Sequence, residues 1–261
     1  VVNLKLNTEF FQQMTLFKRP LMKLLNYNIA TRLPVLPLKT KVVINTINPH
    51  SYCIAEKDAK FKSALLDSDI LLPDGIGIVW ASKMLSDEKV SKIAGYDIFI
   101  YLLEYLEKMN GKCFFLGASQ EALTLIRAKA LLEYPNVTIE VYSPPYKNEF
   151  TEEDSAVMCS KVNSFNPDVL FVGMTAPKQE KWVHEYRDVL NAEIICCIGA
   201  VFDFYAGTVK RPSQFWISIG LEWLPRFLKE PKRLAERNLV STPKFIFEVL
   251  SLKYLSKHFI N

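Results

Sequence analysis

From residue 41 onwards, short runs of β-branched, aromatic and aliphatic residues alternate with longer stretches in which apolar side chains recur every three to four positions. The short runs read as buried strands: KVVIN (41–45), DILL (69–72), KCFFLG (112–117), VTIEVY (137–142), DVLFVG (168–173) and EIICCIG (193–199). The longer stretches read as helices over 51–66, 97–109, 119–133, 151–165 and 177–190. Asp97 and Thr151 are placed to cap two of them, and Asp154, three residues after Thr151, supplies a weaker form of the capping box. Strands alternating with helices form βαβ units, so the predicted fold is α/β, a Rossmann-like and mainly parallel sheet flanked by helices.

Two stretches break the alternation. Residues 1–40, which include FFQQMTLFKRPLMKLL at 10–25, read as an N-terminal helical segment broken at Pro20 that packs on the core, with a membrane surface as the alternative site. After residue 208, Pro212, Pro225, Pro231 and Pro243 punctuate short segments rich in Trp, Phe and Arg. This predicts an α/β catalytic core at 41–208, folding on its own, and a small basic helical appendage at 209–261.

Composition narrows the class. Of 261 residues, 49% are hydrophobic and 23% charged, the balance of a globular chain. With no run of 18 apolar residues and no apolar signal core, the expectation is a protein neither inserted nor exported. The five cysteines at 53, 113, 159, 196 and 197 sit mostly in apolar runs without CxxC spacing, which predicts buried free thiols in a reducing cytoplasm. Net charge is +4, yet from Lys210 to the end ten Lys/Arg face four Glu, so the basic surplus is confined to the C-terminal fifth. A solvated helix pair has this composition, and so does a segment that meets anionic lipid or a pyrophosphate, where each basic residue contributes about 1 kcal/mol at the surface. No nucleic-acid partner is expected. Trp216, Trp223 and Phe227 suit a homo-oligomer interface as readily as a membrane.

In open α/β sheets ligands bind beyond the carboxyl ends of the strands, so the residues that follow strands carry the most information. Thr46 and Asn48 follow KVVIN and can hydrogen-bond a sugar or phosphate, although they also suit an ordinary turn before Pro49. Asp74 in LLPDGIG (71–77) follows DILL and precedes a helix start at Gly75, where it is either a cap or an acceptor for the proton of an attacking hydroxyl. In VGMTAPKQE (172–180), Gly173 allows close approach to the backbone and Pro177 suits a first helical turn whose free N–H groups favour phosphate. Lys178 and Gln179 add a charge and an amide. Asp67-Ser68-Asp69 has the DxD form that many glycosyltransferases use to hold a metal, but it precedes a strand, so no metal is expected. Neither GxGxxG nor a Walker loop occurs, and His50, His184 and His258 lack ligand spacing.

The ordered set INTINP, LLPDGIG, Gly95 with Asp97, FFLGAS, VGMTAPKQE, GAVFDFYAG and GLEWLPRFLKEPKR, over roughly 42–237, resembles the WecG/TagA/CpsF glycosyltransferase family. The resemblance implies inverting transfer from a UDP-sugar to a sugar carried on undecaprenyl pyrophosphate. The site would be the inner face of the plasma membrane, in cell-surface polysaccharide synthesis. It implies Asp74 as catalytic base with Thr46 beside the reacting sugar, and a functional glutamine at Gln179. Donor binding is expected from Asn48, Gly75, Lys92, Gly95, Asp97, Gly117, Gly173, Pro177, Lys178 and Gln179. Arg226, Arg233 and Arg237 of the appendage match the family's arginines that close over the site and contact acceptor or phosphate. Lys92 stands where an arginine is usual, keeping the charge without the bidentate fork. The transferred sugar, a hexose or N-acetylhexosamine such as N-acetylmannosamine or its uronic acid, stays open. So do two other readings, a metal-dependent transferase using Asp67 and Asp69 and a non-catalytic nucleotide-binding scaffold at the membrane.

Overall fold

The computed structural model describes residues 21–86, 90–218 and 220–259. Within them eight strands form one sheet: β1 (Leu21–Leu24), β2 (Tyr27–Ala30), β3 (Val42–Ile47), β4 (Ile70–Pro73), β5 (Lys112–Gly117), β6 (Thr138–Tyr142), β7 (Val169–Gly173) and β8 (Ile194–Cys197), in the order β1-β2-β4-β3-β8-β7-β5-β6. All six strands expected from the sequence are present, and every pairing except that of β1 with β2 is parallel. Strands covered on both faces need no alternation of polar and apolar residues, which is why the runs of β4, β7 and β8 are continuously apolar, whereas the edge strand β6 carries Thr138 and Glu140. Helices follow in chain order: α1 (Pro49–Ala55), α2 (Ala59–Leu66), α3 (Ile76–Leu85), α4 (Gly95–Met109), α5 (Gln120–Glu133), α6 (Glu152–Phe165), α7 (Lys178–Tyr186) and α8 (Val201–Ala206). Short helices α9 (Gln214–Ser218), α10 (Trp223–Lys229) and α11 (Pro231–Ala235) lead through a π-helical turn, Glu236–Ser241, into the long α12 (Thr242–Phe259).

Several expectations need correction. The helix expected over 51–66 is two, because Asp58 accepts from Phe61 N at 3.0 Å and restarts the helix as its cap, a contribution of about 1 kcal/mol. Thr151 does cap α6 in a reciprocal box with Asp154. Asp97 is instead the third residue of α4, with its carboxylate turned back to Ala94 N at 2.9 Å. The helix begun near Pro177 ends at Tyr186, not 190. Residues 21–30, assigned to an N-terminal helical segment, form a hairpin that extends the sheet through β2 and β4. Its two-residue turn, Leu25-Asn26, has both residues at positive φ. The part of that expected helix at 10–20 lies outside the described residues.

Packing explains the hairpin and also corrects the picture of a dispensable appendage. Met22, Leu24, Tyr27 and Ile29 join Tyr52, Phe61 and Leu71 in a core cluster that α12 completes with Phe245 and Val249, both fully buried. Cutting the chain after residue 208 removes those two side chains and opens the cluster to water. Phe-to-Ala truncation in a core costs about 3–5 kcal/mol on its own, so a cut at residue 208 is expected to destabilise the remaining core by at least that order. All five cysteines are buried and free, as expected. Among the described residues no helix is long and apolar enough to cross a membrane.

The two faces of the sheet set where the cleft lies. Leu123, Ile126 and Ala130 of α5 pack with Phe115 and Phe171 on one face, while Trp182 and Val183 of α7 pack with Leu170 and Val172 on the other. Neighbouring strands β5 and β7 therefore send their helices to opposite faces, and the crevice of an open α/β sheet opens at such a point. Three strand spacings of roughly 4.8 Å put the end of β4, with Asp74, about 14 Å along the same edge from the end of β7.

Candidate active site

The carboxyl end of β4 is built to hold a half-buried acid at the edge of the sheet. Asp74 N donates to Ile47 O at 2.8 Å, Pro73 O accepts from Ile93 N at 2.9 Å, and Gly75 takes φ +90, which turns the chain at once into α3. Thr46, half-buried at the end of β3, pairs in register with Leu72, two residues before Asp74. Among the described residues no hydrogen bond or ion pair engages the Asp74 carboxylate. Burial raises its pKa, Arg237, Lys92 and Arg226 pull it back down, and Glu222 pushes it up. A half-buried carboxylate that is unengaged and has cations nearby is a competent general base.

Appendage residues reach this point from across the cleft. Gly220, at φ +74, rests on Ile76 beside Asp74, so close that a Cβ would stand 3.2 Å from Ile76 Cγ1. Arg226 stacks over the Phe204 ring at 4.9 Å, and burial with Arg237 and Arg233 nearby lowers its pKa. Arg237 comes from the π-helical turn, which α1 holds through one buried residue: His50 Nδ1 lies 2.9 Å from Ser241 Oγ, and Cys53 Sγ donates to Ser241 O at 3.3 Å. Arg233 is exposed and paired with Glu230. The structure thus brings Asp74, Thr46, Lys92, Arg226 and Arg237 together, with Arg233 at the rim beside Asp203.

Other residues singled out in the sequence are committed to partners within the protein. Lys92 is paired with Glu222, which also lies 3.7 Å from Arg211 Nε. Arg211 stacks on Tyr96 at 4.2 Å and reaches Asp97 at 3.7 Å. Asn48 caps α1, with Oδ1 accepting from His50 N and Ser51 N. Lys178 points to the loop after β6, donating to Lys147 O and lying 3.6 Å from the centre of the Phe150 ring. Pro177 sits at the cap of α7 rather than in its first turn, and Lys178 N is already taken by Thr175 O. The space beside Gly173, expected to admit a ligand, is filled by the Phe202 ring. Gly117, at φ +118, faces the Gly173 carbonyl, where any Cβ would collide. Gly95 lets α4 approach the Ile198 main chain. Gln179 Oε1 accepts from both Met174 N and Gly199 N at 3.1 Å, tying together the loops that leave β7 and β8.

Asp67 and Asp69 lie at the opposite edge of the sheet. Asp69 Oδ2 accepts from Val43 N at the start of β3 and from Arg187 Nη2, and Asp67 ends α2. A metal held there would be a strand length away from Asp74, at the amino edge of β4.

Sequence reasoning missed Glu222, Arg211, Asp203, His50 and Glu180 as members of the site or its supports. The strings GLEWLPR and PKQE contain two of them, but only folding reveals that Glu222 faces Lys92 and Arg211 and that Glu180 faces the Gln179 amide.

The profile of the glycosyl transferase WecG/TagA/CpsF family matches residues 22–258. The chain belongs to this family. It is a glycosyltransferase, and the match starts well before residue 42, at the hairpin that completes the sheet. A relative from Bacillus subtilis (strain 168) is 34% identical over 221 residues, covering 85% of this chain and 84% of the relative. One from Bacillus spizizenii is 33% identical over 207 residues, covering 79% and 78%. One from Staphylococcus aureus (strain MW2) is 25% identical over 210 residues, covering 80% of each. All three are named N-acetylglucosaminyldiphosphoundecaprenol N-acetyl-beta-D-mannosaminyltransferase. The glycosyltransferase thus resembles enzymes whose names give a lipid diphosphate carrying a sugar as acceptor.

Proposed function

We propose that this protein transfers N-acetylmannosamine from its UDP derivative to the N-acetylglucosamine of a diphosphoundecaprenol-linked acceptor, with inversion and without a metal ion. The observation that carries this reading is the unengaged Asp74 carboxylate at the carboxyl edge of the sheet, facing Lys92, Arg226 and Arg237. Asp74 takes the proton of the acceptor hydroxyl as its oxygen bonds to the anomeric carbon. The bond from that carbon to the diphosphate oxygen breaks on the opposite face, and UDP leaves with the electron pair. Arg226 and Arg237 offset the charge that develops on the diphosphate. The roughly 14 Å between the β5/β7 crevice and Asp74 suits a donor whose nucleotide lies at the crevice and whose sugar lies over β8 and β3.

Contact with the inner membrane surface is part of the same reading. Leu228, Leu239, Val240, Phe247 and Leu250 are exposed on the segment that also carries the basic surplus, a combination suited to anionic headgroups and the lipid boundary. The test is UDP release in EDTA from a panel of UDP-sugars, each offered with a short-chain lipid-diphosphate-GlcNAc. Release that depends on acceptor and is fastest with UDP-N-acetylmannosamine is expected. Release that needs an added divalent metal, or none with any donor although UDP binds, would overturn the reading.

A further inference from the structure

Next to Gln179, the sequence places a second acid inside the protein. Glu180 is 3% exposed, in the first turn of α7, and Gln179 is buried to the same degree. Glu180 Oε1 accepts from Gln179 Nε2 at 2.8 Å, while Oε2 has no hydrogen-bond partner. A buried carboxyl oxygen left unsatisfied is costly, and such groups persist where they serve another purpose.

That purpose follows from what Gln179 does. Its Oε1 receives two main-chain N–H groups, Met174 N and Gly199 N, at the first turns beyond β7 and β8. An amide flipped by 180° would present NH₂ to both donors and leave both loops unanchored. The two donors already favour the observed face; an acceptor on the other side of the amide reinforces that choice and holds the side chain in place, and Glu180 Oε1 is that acceptor. We propose that Glu180 is a positioning residue of the transfer site, which fixes the face of the Gln179 amide and thereby the Met174 and Gly199 main chains along the cleft. This rests on reading the cleft as the transfer site.

The charge state matters as well. Burial pushes the Glu180 carboxyl up to about 7, and no basic side chain among the described residues offsets it. Lys181, the next residue, is paired with Asp58 2.9 Å away. The titratable group that faces Glu180 from β8 is the Cys197 thiol, itself raised by burial, so it supplies no countercharge. An ionised Glu180 is therefore a buried charge without a countercharge, and it is relieved when the two loops loosen and admit water.

The test uses the full chain with Glu180→Gln, which keeps an acceptor and is neutral at every pH, and Glu180→Met, which keeps length without an acceptor. Hydrogen exchange at the Met174 and Gly199 amides and donor kinetics are measured together. In Glu180→Met, protection at both amides and kcat/KM for the donor should fall about ten- to a hundredfold, with the acceptor KM unchanged, while Glu180→Gln stays within about threefold of wild type. Above about pH 7, wild-type protection at these amides should decline and that of Glu180→Gln should not. This comparison decides the matter even if Glu180→Met does not fold. Wild-type protection in Glu180→Met, equal loss in both variants, or one pH profile shared by wild type and Glu180→Gln would overturn the assignment. If wild type transfers no sugar at all, the proposed function fails, while the exchange data still judge Glu180.

Discussion

Asp69 and Asp74 flank the same four-residue strand, yet the protein treats their charges in opposite ways. Asp69, where β4 begins, accepts from Val43 N at 2.9 Å and from Arg187 Nη2 at 3.0 Å. Asp74, where β4 ends, has cations around it but none in contact, and burial keeps its carboxyl above the usual carboxylate range. At the first edge a carboxylate serves the fold by being neutralised. At the second it keeps its lone pairs for a proton that the protein itself does not supply. The difference lies in which end of a parallel strand each aspartate occupies, because helix N-termini and connecting loops gather at the carboxyl end.

The largest effect that sharpens this contrast is Asp74→Asn, expected to lower kcat about 10²- to 10⁴-fold while the melting temperature moves by no more than about 2 °C. Glu180 extends the comparison to a buried carboxyl with one amide contact and no cation. Between its usual value of 4.5 and its raised value of about 7, the folded state holds a proton that the unfolded chain has released, so stability falls as pH rises through that window and stays lower above it. The loss is on the order of 3 kcal/mol, read as a falling urea midpoint that Glu180→Gln should not show. Arg237→Ala comes next. It removes a cation that lowers the Asp74 pKa, so the acid limb of the kcat/KM profile should move to higher pH, with a loss of about tenfold or more for the lipid-diphosphate acceptor. Smallest is Asp69→Asn, which should lower stability by about 1 kcal/mol through its weakened contact with Arg187 and leave kcat unchanged.

How much of this was legible in the sequence depended on the range of the signal. The inner parallel strands were legible because burial on both faces leaves continuous apolar runs, the edge strand β6 because of its β-branched and aromatic residues, and Asp74 because it follows one of the inner strands. The β1/β2 hairpin was not, since LMKL and YNIA are too short to show a period and only their packing on Tyr52 and Phe61 makes them strands. The break at Asp58 was missed because its carboxylate competes locally with a helix that the apolar spacing alone would continue. In the site, the arginines were legible as basic residues in a motif, but their targets were not. The pairing of Lys92 with Glu222 joins positions 130 residues apart, and Phe202 fills the space beside Gly173 only after folding. Lys178 looked like a phosphate ligand from its place in PKQE, yet a loop outside that motif holds its amine.

The most direct measurement is UDP release in EDTA, at saturating donor and lipid-diphosphate-GlcNAc acceptor, from wild type, Asp74→Asn and the double variant Asp67→Asn/Asp69→Asn. The double variant should match wild type, and Asp74→Asn should be slower by about a hundredfold or more. Normal release from Asp74→Asn, or wild-type release that appears only with a divalent metal and is lost in the double variant, would contradict Asp74 as the base of a metal-free transfer.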